Sequence, residues 1–357
     1  MNKGSRAPTN IQLGNKIVGL DTPPLIIAEL SGNHDQSLDK ALAMVDAAAK
    51  SGADAIKLQT YTADTMTLDV HDQEFFIDDP DNLWQGYSLH DLYQKAATPW
   101  DWHKRIFDRA KQHRMLAFST PFDLTALEYL ESLDVPCYKI ASFENTDHPL
   151  LEAVARTGKP IIISTGMATL NELAESVEVL RQHGCKDLIL LKCTSNYPAN
   201  PVDANLKTLP HLAELFHCQV GLSDHTTGLG VAVASVALGA TVIEKHFVLD
   251  RSEGGVDAEF SMEPKEFHQL VEECRKAKTA LGVVHYGPTQ EEFTSRKHRR
   301  SLYIAKDMQA GDILTEQNLR AVRPGLGLPP KYLKQLLGKS IKKKAAKGTP
   351  LSWDLLI

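Results

Sequence analysis

Short apolar runs alternate with longer amphipathic segments along most of the chain. In the longer segments the apolar residues recur at spacings of three and four, as in residues 171–184, which predicts helices. Glycine follows several of these segments, where a left-handed residue often ends a helix. Eight of the short runs are apolar enough to be buried strands, and they end at or near Glu29, Gln59, Thr120, Ser142, Thr165, Cys193, Asp224 and His246. Eight such alternations predict an α/β fold, a closed (β/α)8 TIM barrel, rather than an open doubly wound sheet.

The segment from Val220 to Asp250 has this alternation in its clearest form. A Gly/Ala/Val-rich stretch of helical length joins two apolar runs, which end in the polar clusters Ser223-Asp224-His225 and Glu244-Lys245-His246. His225 and His246 stand 21 residues apart, which is one strand–helix repeat. Because the C-terminal ends of barrel strands lie at one mouth, we expect both imidazoles there. Neutral imidazole is the commonest transition-metal ligand, so the spacing favours a divalent-metal site. The alternative is two buried, hydrogen-bonded histidines without a ligand.

Three parts of the chain fall outside the barrel pattern. The second and third strand ends are 61 residues apart, and the acids and aromatics of residues 61–100 predict an insertion over the barrel mouth. After a helix that ends near Gly282, short strands and turns predict a small β-rich domain that gains stability by docking on another surface. We therefore predict four segments: an N-terminal extension or hairpin (1–23), the barrel (24–285), a linker (286–298) and the small domain (299–357).

Composition narrows the functional classes. The chain has 357 residues, of which 43% are hydrophobic and 24% are charged, as in ordinary globular proteins. Its net charge of −6 gives no global electrostatic reason to bind nucleic acid or a membrane surface. No glycine-rich dinucleotide loop or Walker loop follows any predicted strand. A nucleotide-binding function is therefore disfavoured.

Cysteine usage and the apolar segments predict a cellular location. The five cysteines are odd in number and include no CxxC pair, which argues against a disulfide framework and favours a reducing cytoplasm. The first ten residues are polar and do not fit a secretory signal. The apolar segment from Leu229 to Ile243 is shorter than the ~20 residues of a membrane span, and it predicts a buried helix followed by a strand.

Polar residues at the predicted strand ends would share one cavity. Lysines supply positive charge and hydroxyls supply donors, so together they favour a phosphate or carboxylate substrate, although any single lysine can be a salt-bridged structural residue. Glu29 and Glu144 each follow an apolar strand, where partial burial raises a carboxyl pKa towards the range of a working acid or base. Either carboxylate can instead orient a neighbouring lysine or histidine. Asp257, after the eighth strand, fits either sugar hydroxyls or a turn cap.

Nine motifs, in order, resemble those of the sialic acid synthase family of sugar-acid synthases: IIAELSGNHD, IKLQTY, FSTPFD, YKIASFE, STGMA, CTSNYP, LSDHT, EKHF and DRSEGGVD. The later RRSLY and RPGLG resemble the antifreeze-like (SAF) domain of that family. The similarity covers nearly the whole chain from residue 24. Within the family, ASFENTDHPL is more similar to the pseudaminic acid branch than to the neuraminate branch, which has a glycine-glutamate-cysteine run in place of Phe143-Glu144-Asn145.

The resemblance implies that phosphoenolpyruvate condenses with the open-chain aldehyde of an N-acetylated amino sugar to give a nine-carbon 2-keto acid and phosphate. In the pseudaminic acid branch the sugar is 2,4-diacetamido-2,4,6-trideoxy-β-L-altropyranose. By motif, His225 and His246 would ligate a divalent metal ion (Mn2+, Mg2+ or Co2+), and Glu29, Glu144 and His225 would be catalytic. The residues implied to bind phosphoenolpyruvate are Lys57, Thr120, Lys139, Ser142, Ser164, Ser195 and Ser223. Those implied to bind the sugar are Tyr197, Asp257 and Arg323, the last reaching across from the partner subunit of a domain-swapped homodimer.

Two departures from the family pattern concern the sugar end. Asp35-Gln36 follows Asn33-His34 where the family has asparagine and a small residue, and Glu253 and Val256 flank the double glycine after the eighth strand. Synthases of neuraminic or legionaminic acid therefore remain alternatives with the same chemistry. A Schiff-base aldolase that uses Lys139, Lys192 or Lys245 as nucleophile is a more distant alternative. The least favoured is a degenerate barrel whose small domain binds glycans.

Overall fold

In residues 8–80 and 82–357, which the computed structural model describes, a hairpin precedes a closed barrel of eight parallel strands. The hairpin pairs β1 (Ile11–Leu13) with β2 (Lys16–Val18) in antiparallel fashion. Leu13 and Val18 are fully buried and belong to the same apolar cluster as the barrel strands. Residues 1–7, the start of the predicted extension, lie outside the described residues.

The barrel confirms the predicted fold class. Its strands are β3 (Leu25–Glu29), β4 (Ala55–Thr60), β5 (Leu116–Pro121), β6 (Tyr138–Ile140), β7 (Ile161–Ser164), β8 (Leu188–Cys193), β9 (Gln219–Asp224) and β10 (Val242–His246). They follow one another in chain order, and β10 closes the ring by pairing with both β9 and β3. Helices cover the outside, so the strands are buried on both faces and form apolar runs rather than alternating patterns.

The observed strand ends agree with the predicted ones to within two residues. The largest difference is at β6, which ends at Ile140 because Ser142–Glu144 form a 3-10 helix rather than continuing the strand. Gly52 and Gly184 have φ of 88° and 108°, as predicted for glycines that end helices in the left-handed region.

The helices outside the barrel follow the predicted amphipathic segments. They are α1 (Leu38–Lys50), α2 (Ala63–Met66), α3 (Leu89–Ala96), α4 (His103–Gln112), α5 (Leu124–Ser132), α6 (His148–Arg156), α7 (Leu170–Gln182), α8 (Thr208–Phe216), α9 (Gly230–Ala237) and α10 (Pro264–Leu281). Thr169 and Glu172 form a capping box that starts α7, with reciprocal hydrogen bonds to backbone N–H groups. None of the helices in the described ranges is long and apolar enough to span a membrane.

The predicted insertion, residues 61–100, contains α2 and α3 and a 3-10 turn at Gln73–Phe75. A bridge between Phe76 and Ser88 closes its central loop. The Trp84 side chain in this loop donates a hydrogen bond to the carbonyl of Val256, which follows the last barrel strand. Because that strand ends at the mouth, the insertion reaches the mouth as well.

The chain divides into two compact units, the first ending at Gly282 and the second running from Val283 to Ile357. The second unit begins with α11 (Glu292–Ser295) and a 3-10 turn at Arg296–His298, in the region predicted as a linker. It continues with an antiparallel pair, β11 (Ser301–Ile304) and β12 (Leu319–Val322), and the short α12 (Leu333–Leu336). Its separate core includes Leu302, Ile304, Met308, Leu314, Leu319, Leu336, Ile341, Leu351 and Leu355.

Candidate active site at the barrel mouth

Strand register places several predicted site residues side by side. His246 of β10 pairs with Glu29 of β3, and Glu29 pairs with Lys57 of β4. On the other edge of β10, Glu244 pairs with Ser223 of β9. Register partners in parallel strands lie on the same face, and residues two apart in a strand share that face. All five side chains therefore project from one face of the closed sheet.

The contacts of Lys139 identify this face as the barrel interior. Lys139 lies on β6, which is four places from β10 in either direction around the ring. Its Nζ nevertheless lies 3.4 Å from Glu244 Oε1, across the barrel. Lys57 Nζ lies 3.8 Å from the same oxygen, and Ser223 Oγ donates a hydrogen bond to it at 3.1 Å. Side chains from opposite sides of the ring meet only if both point inwards.

The interior therefore holds a compact cluster of charges. Glu29, Glu244, Lys57 and Lys139 are 1%, 5%, 4% and 2% exposed. Glu29 forms an ion pair with Lys57, whose Nζ also lies 3.4 Å from Thr120 Oγ1. Burial lowers the pKa of Lys139, and Glu244 only partly offsets this. Although burial acts in the opposite direction, Lys139 and Lys57 hold the pKa of Glu244 below its usual value. The two lysines therefore balance the two carboxylates in formal charge.

Three predicted serines flank this cluster on the neighbouring strand ends. Ser142 Oγ accepts a hydrogen bond from the Gly166 N–H at 3.2 Å. A methyl group added at Gly166 would overlap both Ser142 Oγ and Ser195 Oγ, so the two hydroxyls converge on this glycine. Ser164 Oγ is buried and has no hydrogen-bond partner among the described residues. These hydroxyls are placed to donate to an anion held by the lysines.

The two predicted metal ligands lie next to each other, with ring centroids 5.3 Å apart. His225 Nδ1 lies 2.9 Å from the Thr194 carbonyl, which can only accept, so in the neutral ring Nδ1 carries the proton and Nε2 has the lone pair. His246 Nδ1 is buried without a hydrogen-bond partner in the described part of the chain. Burial is the main reason, and the nearby His225 a second one, why the pKa of His246 is well below its usual value. No group of three or more His, Cys, Asp or Glu side chains with the geometry of a metal site occurs in residues 8–80 and 82–357. A metal site here therefore remains a prediction that rests on the imidazole pair.

Cys193, at the end of β8, is a polar member of the mouth that the sequence reasoning did not select. Its Sγ lies 3.8 Å from His225 Nδ1 and 3.7 Å from Ser195 Oγ. Burial raises the pKa of the thiol, but the hydrogen bond with His225, and the charge that His225 carries when it is protonated, outweigh burial and lower it to about 7. Glu244 was missed in the same way, since it was noted only as part of a polar cluster.

Glu144 lies in the 3-10 helix that follows β6. Its Oε2 is buried and lacks a hydrogen-bond partner within the described ranges. Burial raises the pKa of this carboxyl from its ordinary 4.5 to about 7, and Lys139 offsets only part of the effect. A carboxyl that titrates near neutrality can act as a general acid or base at physiological pH.

Two predicted sugar-binding residues surround the histidine pair. The Tyr197 ring centroid lies 4.4 Å from that of His225. Asp257 Oδ2 lies 3.8 Å from His246 Nδ1 and accepts a hydrogen bond from Ser31 Oγ. Burial raises the pKa of Asp257, and the Ser31 hydrogen bond opposes this. Both side chains thus lie beside the imidazoles.

Arg323, the third predicted sugar-binding residue, lies in the second unit. It follows β12 directly and is exposed. Its predicted contact with the site of a partner subunit remains a prediction.

The lysines of the aldolase alternative have different environments. Lys245 Nζ donates to Asp224 Oδ2 at 2.9 Å and to the Thr226 carbonyl at 2.5 Å, and it is fully buried. Lys245 and Asp224 are one residue out of phase with the inward-facing side chains, so they lie on the helix side of the sheet. Lys192 Nζ donates to the Cys193 carbonyl at 3.0 Å. Lys245 is therefore outside the cavity where a substrate would bind.

Comparison with family models and comparison with solved structures both indicate the same family. A family model described as the NeuB family matches residues 44–286, and one described as the SAF domain matches residues 299–357. A crystal structure of N-acetylneuraminic acid (sialic acid) synthetase from Leptospira borgpetersenii has a TM-score of 0.71 and 34% identity, and the match covers 81% of this chain and 95% of that one. The predicted barrel and small domain are confirmed.

Relatives of similar length have been named. A pseudaminic acid synthase of Campylobacter jejuni is 44% identical over 341 residues, which are 96% of this chain and 98% of the relative. A pseudaminic acid synthase of Helicobacter pylori is 45% identical over 335 residues, which are 93% of this chain and 97% of the relative. The resemblance drawn from the nine motifs is confirmed, and the chain belongs to the NeuB family.

Proposed function

We propose that this protein is a pseudaminic acid synthase, a phosphoenolpyruvate-dependent transferase. The reaction joins C3 of phosphoenolpyruvate to the aldehyde carbon of open-chain 2,4-diacetamido-2,4,6-trideoxy-L-altrose. Water adds to C2 of the former enol, the C2–O bond to phosphate breaks, and the products are pseudaminic acid and inorganic phosphate. The observation that carries this proposal is the similarity to pseudaminic acid synthases along nearly the whole chain.

The charge cluster in the barrel supports an anionic substrate. Lys57 Nζ and Lys139 Nζ lie 3.8 and 3.4 Å from the same oxygen of Glu244, so their positive charges are close together. The converging serine hydroxyls supply further donors. We assign phosphoenolpyruvate to this cluster, with Lys57, Lys139, Thr120, Ser142, Ser164, Ser195 and Ser223 as its partners. A buried cation attracts an anion more strongly than an exposed cation does, because the local dielectric constant is lower.

Glu144 is assigned the proton transfers. In its ionised form it takes a proton from the water that adds to C2, and in its protonated form it returns one as the C2–O bond breaks. Its pKa of about 7 allows both forms to be populated near neutral pH. Glu29 is assigned to orienting Lys57 through their ion pair, which keeps the lysine directed at the substrate.

The imidazole pair fits a divalent metal ion. The unpartnered Nδ1 of His246 and the lone pair of His225 Nε2 are the two donors, and Asp257 lies beside them. When bound, a Mn2+, Mg2+ or Co2+ ion would supply Lewis-acid polarisation to the aldehyde oxygen. His225→Ala and His246→Ala are expected to abolish turnover in folded protein, with loss of the metal-dependent rise in Tm as a second readout. Near-normal activity in either variant would contradict the assignment.

The sugar end and the assembly complete the proposal. Tyr197 and Asp257 are assigned to the sugar, and Arg323 to an acetamido group in the site of a partner subunit within a domain-swapped homodimer. Phosphoenolpyruvate is a cytoplasmic metabolite, which supports a cytoplasmic location. Arg323→Ala is expected to raise the sugar KM more than the phosphoenolpyruvate KM, and equal effects would argue against the cross-subunit contact.

A Schiff-base aldolase is separated from this proposal by one experiment. The ion pair of Lys245 with Asp224 disfavours a neutral lysine nucleophile at that position. Borohydride with both substrates should leave the protein mass unchanged. A trapped adduct on Lys139, Lys192 or Lys245 would support the aldolase instead.

The first test is phosphate release by chelator-treated protein with Mn2+ added back. The sugar panel pairs the L-altro trideoxy sugar with N-acetylmannosamine and with the legionaminic acid precursor. Metal-dependent release with the L-altro sugar alone supports the proposal. Release with another sugar keeps the mechanism but moves the substrate, and no release with any sugar refutes the proposed function.

A further inference from the structure

Trp84 links the insertion to the rim of the site. Its indole Nε1–H donates to the Val256 carbonyl at 2.8 Å, and its ring centroid lies 6.1 Å from that of Tyr197. The side chain is only half-buried. Trp84 therefore connects the insertion to two segments of the site, the loop at Val256 and the segment at Tyr197, which are both remote from it in sequence.

The Val256 carbonyl belongs to the loop that carries Asp257. This loop has two successive glycines with positive φ, 79° at Gly254 and 131° at Gly255, so its path depends on contacts with its surroundings. Asn33 Oδ1 accepts from the Asp257 N–H at 3.1 Å on one side. The Trp84 hydrogen bond holds the carbonyl of the same peptide group, so both polar atoms of the Val256–Asp257 peptide are fixed next to the Asp257 side chain.

Tyr197 extends the contact of Trp84 to the histidine pair. The Tyr197 ring lies 4.4 Å from His225 and 5.1 Å from Phe260, and Phe260 lies 4.9 Å from His246. Trp84, Tyr197 and Phe260 thus form a continuous aromatic wall beside the imidazoles. Ligand sites that combine an aromatic wall with few polar groups favour the apolar parts of their ligands.

We propose that Trp84 is a specificity-determining residue that forms the apolar wall for the sugar and positions the loop bearing Asp257. This inference rests on the proposed function, because it concerns the same sugar. The trideoxy sugar carries a methyl group where N-acetylmannosamine carries a hydroxymethyl group, and a second acetamido group where it carries a hydroxyl. An indole face accepts the methyl group without penalty, whereas a hydroxyl placed against it loses water without gaining a partner.

The test compares variants at Trp84 with matched variants at Trp100. Trp100 is the other insertion tryptophan whose indole N–H donates to a backbone carbonyl, that of Tyr61 at 3.1 Å, but its ring stacks on Tyr129 instead of Tyr197. Trp84→Ala is expected to raise the sugar KM ~10-fold and to narrow the preference for the trideoxy sugar over N-acetylmannosamine by a similar factor, with the phosphoenolpyruvate KM unchanged. Trp84→Phe keeps an aromatic ring but loses the hydrogen bond and part of the ring area, so a smaller rise in sugar KM is expected than in Trp84→Ala.

The controls separate specificity from folding. Trp100→Phe is expected to leave the sugar preference unchanged, whatever it does to Tm. An unchanged sugar preference in folded Trp84→Ala, or equal rises in both KM values, would overturn the inference. If Trp84→Ala does not fold, an unchanged sugar KM in Trp84→Phe overturns the role of its hydrogen bond. Wild-type kinetics judge the proposed function separately: if the wild type prefers another sugar, that proposal fails while the Trp84 variants still test the wall with the preferred sugar.

Discussion

The barrel contains two buried lysine–carboxylate clusters, one on each face of β10, and they differ in how completely they are satisfied. On the helix side, Lys245 donates to Asp224 and to the Thr226 carbonyl. Asp224 Oδ1 in turn accepts from the Thr226 N–H at 3.0 Å and its hydroxyl at 2.8 Å. Each charge has a partner close by, which is what a structural ion pair requires.

The cluster inside the barrel is incomplete by comparison. Glu244 Oε2, Ser164 Oγ, Glu144 Oε2 and His246 Nδ1 are buried without hydrogen-bond partners among the residues described. A buried polar atom without a partner costs free energy, so its presence calls for an explanation. The difference indicates that the outer cluster stabilises the fold, whereas the inner one is arranged for partners that a ligand supplies.

The largest expected effect is on the outer cluster. Lys245→Met leaves the Asp224 carboxylate buried and uncompensated, so the free energy of unfolding should fall by about 3–5 kcal/mol. Urea denaturation measures this. The double variant Lys245→Met with Asp224→Leu should recover most of the loss, and a single variant as stable as the wild type would contradict the structural role.

Inside the barrel, the corresponding substitution should affect turnover instead. Lys139→Met removes a cation directed at the substrate, and turnover should fall about 10²–10³-fold. Stability should change far less than in Lys245→Met, because burial already disfavours the charged form of Lys139. Steady-state kinetics and urea denaturation of the same preparation decide this; a large loss of stability with normal turnover would reverse the comparison.

Glu144 should make part of the stability depend on pH. The folded protein holds its proton up to about 7, while the unfolded chain releases it near the ordinary 4.5, so stability is lost as pH rises between these values. Glu144→Gln stays neutral, and its Tm relative to wild type should therefore be higher at pH 8 than at pH 5. Thermal melts at both pH values measure this. A difference in Tm that does not vary with pH would show that the carboxyl titrates normally.

The smallest effects should come from two hydroxyls. Ser164→Ala removes a group without a partner among the described residues, so stability should stay within about 0.5 kcal/mol while the phosphoenolpyruvate KM rises. Thr226→Val removes the hydroxyl that donates to Asp224, so stability should fall by about 1 kcal/mol with KM unchanged. Equal changes of stability and of KM in the two variants would contradict the division into a cluster that binds substrate and a cluster that stabilises the fold.

The order of elements was predictable because apolar runs and helical spacing alternate from β3 to α10, apart from the insertion at residues 61–100. The strand ends followed from the same pattern, except at β6, where Ser142 begins a 3-10 turn that no periodicity signals. The grouping of Glu29, Lys57, Ser223 and His246 at one mouth also followed, because parallel strands end together.

Glu244 and Lys245 show what the pattern alone did not resolve. Both lie in the same polar cluster, but only Glu244 is an even number of residues from His246 and therefore lies on the same face of the strand. This spacing is the signal that would have selected Glu244. Lys245 was kept as a candidate nucleophile although it is out of phase with His246. Contacts across the barrel, such as Lys139 with Glu244, depend on strand order and closure, which local sequence does not encode.

The pairing of β10 with β3 also has a consequence for folding. The first and last strands of the barrel become neighbours only when the ring closes, and contacts such as Ser31 with Asp257 join residues 226 positions apart. Such long-range pairing forms slowly, because loop closure must precede it. Glu244 and His246 lie on this final strand and Asp257 follows it, so a nascent or partly frayed barrel has the lysines and Glu29 but lacks Glu244 and one imidazole. Substrate binding should therefore require a closed barrel. Ligands that occupy the mouth should in turn stabilise the pairing of β10 with β3.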